Sequence, residues 1–362
     1  MSKIIIIIDN ITKRAGTERA VVNLSNILAK QGHSVCVLSI QSVEGAPAYS
    51  IDSSVTIKHL GRPDIDSYSP IAKIILKKIS FFLILKKLIK KEKGEIVIGT
   101  TTFINLLIRF LPKKIKTIGC EHFNSYICSK KLMFFRKFFY RKLNAVVLLT
   151  EKDKKNYGKM KNLYVIPNSL SFIPTTYSNC LNKKMISLGR FTYQKGYDLL
   201  IDCITLIKDK LLDWTIELYG EGRDKELLLN KINENGLDKI IYLKDNTADV
   251  ESVYVSSSIY LSSSRYEGLS MVLLESQSCG LPAISFDCPC GPSDVIIEGK
   301  TGFLVPLGDV KKMSEKILEL INNEELRIQM GKQAAIESSR FSTEKISEMW
   351  KNLLENNINE NC

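Results

Sequence analysis

At 362 residues, with 44% apolar and 25% charged side chains, the chain is long enough for two domains with separate cores and has the make-up of a globular protein. The best candidate for a membrane span, residues 79–85, is bracketed by lysines and far short of the roughly 20 apolar residues of a membrane span, so a bilayer-crossing helix is not expected. The formal charge of +12 is uneven: residues 1–168 hold 30 Lys+Arg against 11 Asp+Glu (+19) and the remainder 21 against 28 (−7), so the first part is built to meet something anionic, such as lipid headgroups, a phosphorylated acceptor or nucleic acid.

The apolar run 4–8 reads as a strand rather than a signal peptide, and nine cysteines without a leader imply reduced thiols in a cytoplasm. A loop, a helix over 17–31 and a strand over 34–40 follow, the opening of a parallel α/β sheet. The loop carries Gly16, Thr17, Glu18 and Arg19 in place of the Gly-x-Gly-x-x-Gly of dinucleotide binding, which counts against a dehydrogenase. Gly16 would let a backbone approach a ligand at a helix start; a glycine needed only for the turn is the alternative.

Asp64 and Asp66 form an Asp-x-Asp pair, but between Pro63 and Pro70 they read as loop, and no metal site is expected there. Residues 71–93 predict a basic amphipathic helix with Lys73, Lys77, Lys87 and Lys91 along one stripe and Ile75, Ile79, Phe82, Leu85 and Ile89 on the other face. A second basic and aromatic cluster spans 130–142 and includes Phe134, Phe135, Arg136 and Phe138. Together the two would make a membrane-docking face; the alternative is that the helix packs on the sheet and its lysines are solvated. Strands over 95–98 and 116–119 lie between them, and His122 falls just past the second, at the edge where open α/β sheets bind ligands. The other histidines, His33 and His59, have no metal-ligand spacing, so zinc is not expected.

Strands over 145–150 and 163–166 close the first domain, and a polar linker starts at Pro167. The pattern then restarts. A strand over 185–188 ends in Gly189 and Arg190, and Lys195 and Gly196 open a helix over 197–208. Two cations at a strand-to-helix junction suit a diphosphate; two exposed surface cations are the alternative. The strand 214–219 runs into Gly220-Glu221-Gly222, a turn that could admit a flat base, and strands over 240–243, 259–262, 283–286 and 303–305 continue the alternation. The final helix, 343–355, has room to pack back on the first domain. The domains are therefore read as 1–168 and 169–342, with 343–362 returning to the first.

The most informative stretch is 265–280. Gly268 permits a turn after the strand, Ser270 is an N-cap, and Gly280 with Pro282 stops the helix. Backbone N–H groups of Leu269, Ser270 and Met271 then open toward an anion, with the carboxylates Glu267 and Glu275 placed to hold hydroxyls at two points along one ligand. An ordinary turn with a solvated Glu275 is the competing reading.

Glu267-x7-Glu275, together with Gly189-Arg190, Lys195-Gly196, Gly220-Glu221-Gly222, residues 302–305 and the loop at Gly16, resembles the retaining family-4 glycosyltransferases of GT-B fold. The resemblance implies an α/β architecture of two facing Rossmann-like domains with the ligand in the cleft. It also implies roles: Arg190 and Lys195 grip the donor diphosphate without a metal, Glu275 holds the ribose, and Glu267 with the backbone from Gly268 to Met271 positions the donor sugar. Gly16 and Thr17 would close on the phosphates, and His122 would sit against the sugar. Ala15 stands where the family often has a second glycine, and the loop Cys288-Pro289-Cys290-Gly291-Pro292 is similar to that of bacterial surface-polysaccharide and lipid-linked oligosaccharide transferases.

The expected activity is transfer of a hexose or N-acetylhexosamine from a UDP-sugar to a polyprenyl-diphosphate-linked saccharide, in O-antigen, capsule or lipid-linked oligosaccharide assembly. No metal or other cofactor and no nucleic-acid partner is expected, and the enzyme would stay peripheral on the inner face of the cytoplasmic membrane. A GT-B-fold sugar-nucleotide epimerase and a non-catalytic basic nucleic-acid-binding protein are the alternatives.

Overall fold

The structure, a computed structural model, describes the chain apart from residues 42–43, 62–70, 123–124 and 360–362 and the side chains of 71–80, 127 and 357–359. It divides into two units, Met1–Ser169 with Thr343–Cys362, and Leu170–Ser342. The expected boundary after residue 168 thus falls one residue later. Asp64 and Asp66 lie outside the described residues.

The first unit is a seven-stranded parallel sheet in the order β3-β2-β1-β4-β5-β6-β7. Its strands are β1 Lys3–Ile8, β2 Ser34–Ser39, β3 Thr56–His59, β4 Ile96–Gly99, β5 Lys116–Cys120, β6 Ala145–Leu148 and β7 Leu163–Val165. The helices between them are α1 Gly16–Lys30, α2 Ile71–Lys91, α3 Thr102–Ile108, α4 Lys130–Tyr140 and α5 Glu151–Tyr157. The unbroken isoleucine run of β1 follows from helices covering both faces of a parallel sheet. Successive side chains point to opposite faces, so Ile4, Ile6 and Ile8 pack with α1, while Ile5 and Ile7 pack with Phe81, Leu85 and Ile89 of α2 and with Tyr140 of α4.

The second unit is a six-stranded parallel sheet in the order β10-β9-β8-β11-β12-β13. It uses β8 Lys184–Leu188, β9 Thr215–Tyr219, β10 Ile241–Lys244, β11 Ile259–Ser262, β12 Ala283–Asp287 and β13 Gly302–Pro306. Its helices are α6 Tyr197–Thr205, α7 Lys225–Glu234, α8 Val250–Val255, α9 Met271–Ser278, α10 Pro292–Val295, α11 Val310–Asn322 and α12 Glu324–Ser338. The last helix, α13 Thr343–Asn359, belongs to the first unit and seats Ile346, Trp350, Leu353 and Leu354 in the same core as Ile4 and Val21. Each such side chain is worth roughly 1.5–3 kcal/mol when fully buried.

In both sheets the order reverses beside the first strand: β1 has β2 on one side and β4 on the other, and β8 likewise lies between β9 and β11. Open parallel sheets bind ligands beyond the carboxyl ends of their strands at such a reversal. The fold thereby singles out the turns after β1 and β4 in one unit and after β8 and β11 in the other. Among the described residues no helix is long and apolar enough to cross a membrane.

Of the described side chains of α2, Phe81, Leu85 and Ile89 are buried in the core, as the packing alternative has it, while Leu83 and the lysines Lys86, Lys87, Lys90 and Lys91 face water. Lys73, Lys77, Ile75 and Ile79 have side chains outside the described set.

Candidate active site

In the second unit, two turns at the sheet's reversal are locked together. After β8 the chain passes Gly189 and Arg190 into a 3₁₀ turn, Tyr193–Lys195, and reaches α6 through Gly196 at φ +64°. A side chain at Gly196 would lie 2.1 Å from the Ser263 carbonyl oxygen, so both the left-handed backbone and the contact with the turn after β11 demand glycine. Across this seam the Arg265 N–H donates to the Gln194 carbonyl at 2.8 Å, and the Ser263 hydroxyl donates to the Lys195 carbonyl at 2.9 Å. The Arg265 guanidinium closes a fork on Asp198 at 2.8 and 2.6 Å and lies 4.0 Å from the centre of the Tyr193 ring. Burial alone would raise the Asp198 carboxyl; the Arg265 hydrogen bonds and charge outweigh it and hold the group below the usual carboxylate range.

The lock brings Lys195 to Glu267. The Lys195 Nζ donates to Glu267 Oε1 at 2.7 Å, and the Ser264 hydroxyl donates to the same oxygen at 2.6 Å. The lysine stem runs over Gly189, where an added Cβ would meet its Cε at 2.8 Å. Glu267 is only 7% exposed, and the loop at Gly291 presses against it and the Gly268 carbonyl from the other side. Arg190 is exposed, its nearest polar contact being the Gln194 side chain at 3.3 Å. Of the two cations read from the sequence, one is therefore held in an ion pair with the carboxylate assigned to the sugar, and the other faces solvent.

Ser270 occupies the N-cap of α9 as read, but its side chain makes no capping hydrogen bond. The first N–H groups of any helix lack an intrahelical acceptor, so α9 opens with donors next to Gly268 and Leu269. Glu275 stands a turn further into α9 and is fully buried, with the Tyr254 hydroxyl 3.4 Å from its Oε2; it is not the solvated carboxylate of the competing reading. Gly220 and Gly222 are accounted for by packing: side chains there would strike the carbonyls of Gly189 and Phe191 at 2.0 and 2.3 Å.

In the first unit, Gly16 is the first residue of α1 with an ordinary backbone, and an added Cβ there meets nothing within 4 Å. The turn itself does not require this glycine. Thr17 beside it is half-buried. His122 follows β5 and lines a small concavity with Asn23, Leu24, Ile166, Asn168 and Trp350. Its Nδ1 is buried without a hydrogen-bond partner among the described residues, and burial pushes the ring down to about 4, so it is neutral near pH 7. Phe123 and Asn124 lie outside the described residues.

Sequence reasoning missed the group beside His122. Glu121 is buried and paired with buried Arg136 at 3.2 Å; Asn105 donates to it at 3.0 Å, and the Tyr140 hydroxyl also donates to it. Burial pushes the Glu121 carboxyl up while Arg136 and these hydrogen bonds pull it back. Arg136 was read as part of an exposed basic cluster; the structure turns it inward with Tyr140, one helical turn away, and helical spacing was the available signal. Among the described residues no group of three His, Cys, Asp or Glu side chains gathers to hold a metal ion.

Two Rossmann-like units in succession make the GT-B architecture, which the solved glycosyltransferases similar to this chain share. The chain belongs to glycosyltransferase family 4: residues 14–171 match the Glycosyltransferase Family 4 model and residues 179–336 the Glycosyl transferases group 1 model. It is 30% identical to an uncharacterized glycosyltransferase of Haemophilus influenzae, over 98% of this chain and 100% of that one. An amylovoran biosynthesis glycosyltransferase of Erwinia amylovora is 29% identical over 98% of this chain and its own full length. A Campylobacter jejuni α-1,4-N-acetyl-D-galactosaminyltransferase, named for an undecaprenol-diphosphate-linked saccharide, is 26% identical over 98% of both chains. Among solved structures, TarM of S. aureus, crystallised with fondaparinux, α-GlcNAc-glycerol and UDP, superposes with a TM-score of 0.79 at 18% identity over 98% of this chain and 99% of that one, a likeness of fold.

Proposed function

We propose that the protein transfers a hexose or N-acetylhexosamine from a UDP-sugar to a polyprenyl-diphosphate-linked saccharide, with retention of configuration and without a metal, in the assembly of bacterial surface polysaccharide or lipid-linked oligosaccharide. The observation that carries this reading is the Lys195–Glu267 pair just ahead of α9 at the reversal of the second sheet, with Arg190 exposed on the turn after β8. The undecaprenol-linked saccharide in the name of the Campylobacter relative and the amylovoran synthesis of the Erwinia relative support the acceptor class, and the UDP in the TarM structure supports the donor.

In this mechanism Arg190, exposed on the turn after β8, takes the donor diphosphate, and the N–H groups at Leu269, Ser270 and Met271 add to it. Lys195 shares its charge between Glu267 and the departing phosphate, so positive charge is already placed where negative charge develops. Glu267 accepts from a donor-sugar hydroxyl, and Glu275 orders the ribose side through α9. The bond from the sugar's anomeric carbon to the diphosphate breaks, a bond to the acceptor oxygen forms on the same face, and the acceptor's proton passes to the departing diphosphate. Neutral His122, with Gly16 and Thr17, takes the sugar and phosphate contacts that the family resemblance assigns them.

The test is incubation with radiolabelled UDP-sugars, with and without membrane lipid. Label moving to the lipid fraction, with an α linkage in the product, is expected. An altered nucleotide sugar formed without acceptor would establish an epimerase instead.

A further inference from the structure

The second basic helix of the first unit behaves unlike the first. Of α4 only Arg136 and Tyr140 are buried, while Phe134, Phe135 and Phe138 are 68%, 51% and 50% exposed. Their spacing of i, i+1 and i+4 sets them on one side of the helix. They are not scattered: ring contacts of 5.3–6.4 Å run from Phe134 and Phe138 through Phe135 and Phe139 to exposed Phe110 and on to Phe82 of α2. Large aromatic side chains left contiguous in water mark an interaction surface.

The charges around this seam are of one sign. Arg109 lies over the Phe110 ring at 4.4 Å, and Lys142 lies 5.7 Å from the centre of Phe138. Lys130, Lys131 and Arg141 are exposed beside them. In the sequence Glu121 is the sole acidic residue between Ile96 and Thr150, and it is buried against Arg136. Over the described residues of 96–150 the face offers cations and apolar rings and no exposed carboxylate.

We propose that this face docks the protein on an anionic bilayer, with Phe134, Phe135 and Phe138 entering the headgroup region and the surrounding lysines and arginines meeting lipid phosphates. An acidic protein would use the cations but leave three phenylalanines on a helix ridge without a pocket. A bilayer accepts both, because the rings enter the interface while the cationic ends stay at the phosphates. The inference deepens the proposed lipid-linked acceptor and rests on that reading for its purpose, but its physical test is independent of turnover.

The full-length protein is sedimented with vesicles of phosphatidylcholine alone or mixed with phosphatidylglycerol. Binding to the anionic vesicles is expected, weakened by salt and lowered about tenfold or more when Phe134→Ser, Phe135→Ser and Phe138→Ser are combined. The Lys130→Glu, Lys131→Glu variant, which leaves the rings in place, should also bind less. An unchanged melting temperature and UDP response in each variant shows that the fold and the nucleotide site persist. Vesicle binding that ignores both sets of substitutions overturns the proposal, as does tighter, ring-dependent binding of single-stranded RNA than of vesicles. Ring-dependent vesicle binding without any UDP response would sustain the docking face and remove the transferase reading.

Discussion

The two sheet reversals are equipped in opposite ways. After β8 and β11 the polar groups hold one another: Lys195 with Glu267, Ser264 with the same carboxylate, and Arg265 with Asp198. In the first unit the groups assigned to ligand are a glycine after β1 with open space above it and, one strand beyond the reversal, a histidine after β5 whose Nδ1 is buried and unpaired among the described residues, while the charged pair Glu121–Arg136 lies buried to one side. On the proposed reading the second unit would supply fixed charge and the first neutral hydrogen bonding and room. Electrostatic stabilisation should therefore depend on the second unit, and fit on the first.

The sharpest way to break this contrast is Lys195→Ala. It strips Glu267, nearly buried, of its cation, and should cost about 2–3 kcal/mol of stability, at the low end for a broken ion pair because Lys195 keeps some exposure. Turnover should fall about 10³-fold. Adding Glu267→Gln should return most of the stability and none of the turnover. Urea unfolding and steady-state rates measure both; a double variant with restored turnover would show that the pair is only structural.

The next effect is at His122. Its ring titrates near 4 in the folded chain against 6.5 when free, so the unfolded chain binds more protons between these values. The stability it confers is full above about pH 6.5 and is lost as pH falls toward 4, on the order of 2 kcal/mol once the ring's partial exposure is allowed for. His122→Gln should flatten that part of the stability profile, as measured by urea midpoints at successive pH values. An unchanged slope would place the acid sensitivity elsewhere.

The smallest structural effect belongs to Gly16→Ala. With an ordinary backbone and nothing within 4 Å of the new methyl, stability should stay within about 0.5 kcal/mol, while kcat/KM falls about tenfold as the methyl crowds a bound phosphate. A large loss of melting temperature would return this glycine to a purely local role.

Most of this architecture was legible because a parallel sheet covered on both faces must write its strands as apolar runs, as in the isoleucines of β1, and because each run ends in a turn before a helix. The short edge strand β3, Thr56–His59, escaped notice: at an edge its four residues are only partly covered, and Thr-Ile-Lys-His carries no run. At the site, the positions of Arg190, Lys195, Glu267 and Glu275 at strand-to-helix turns were legible along the chain, and their expected roles came from the family resemblance. The pairing of Lys195 with Glu267 could not, since 72 residues separate them and only the sheet order makes them neighbours. Arg136 shares the inward face with Tyr140 one helical turn away, a spacing hidden in the run of cations and phenylalanines around it. In the proposed docking the exposed rings come from α4, since Phe81, Leu85 and Ile89 of α2 are buried while Phe134, Phe135 and Phe138 of α4 stay in water.

The central claim, that the second unit grips a nucleoside diphosphate through Arg190 and its neighbours, is tested most directly by thermal unfolding with UDP. Saturating UDP should raise the melting temperature, since ligand at about 100 times its Kd adds about 2.7 kcal/mol. Arg190→Ala, at an exposed position, should leave the ligand-free melting temperature unchanged and abolish most of that rise. No rise with UDP, or a full rise in the Arg190→Ala variant, would contradict the account.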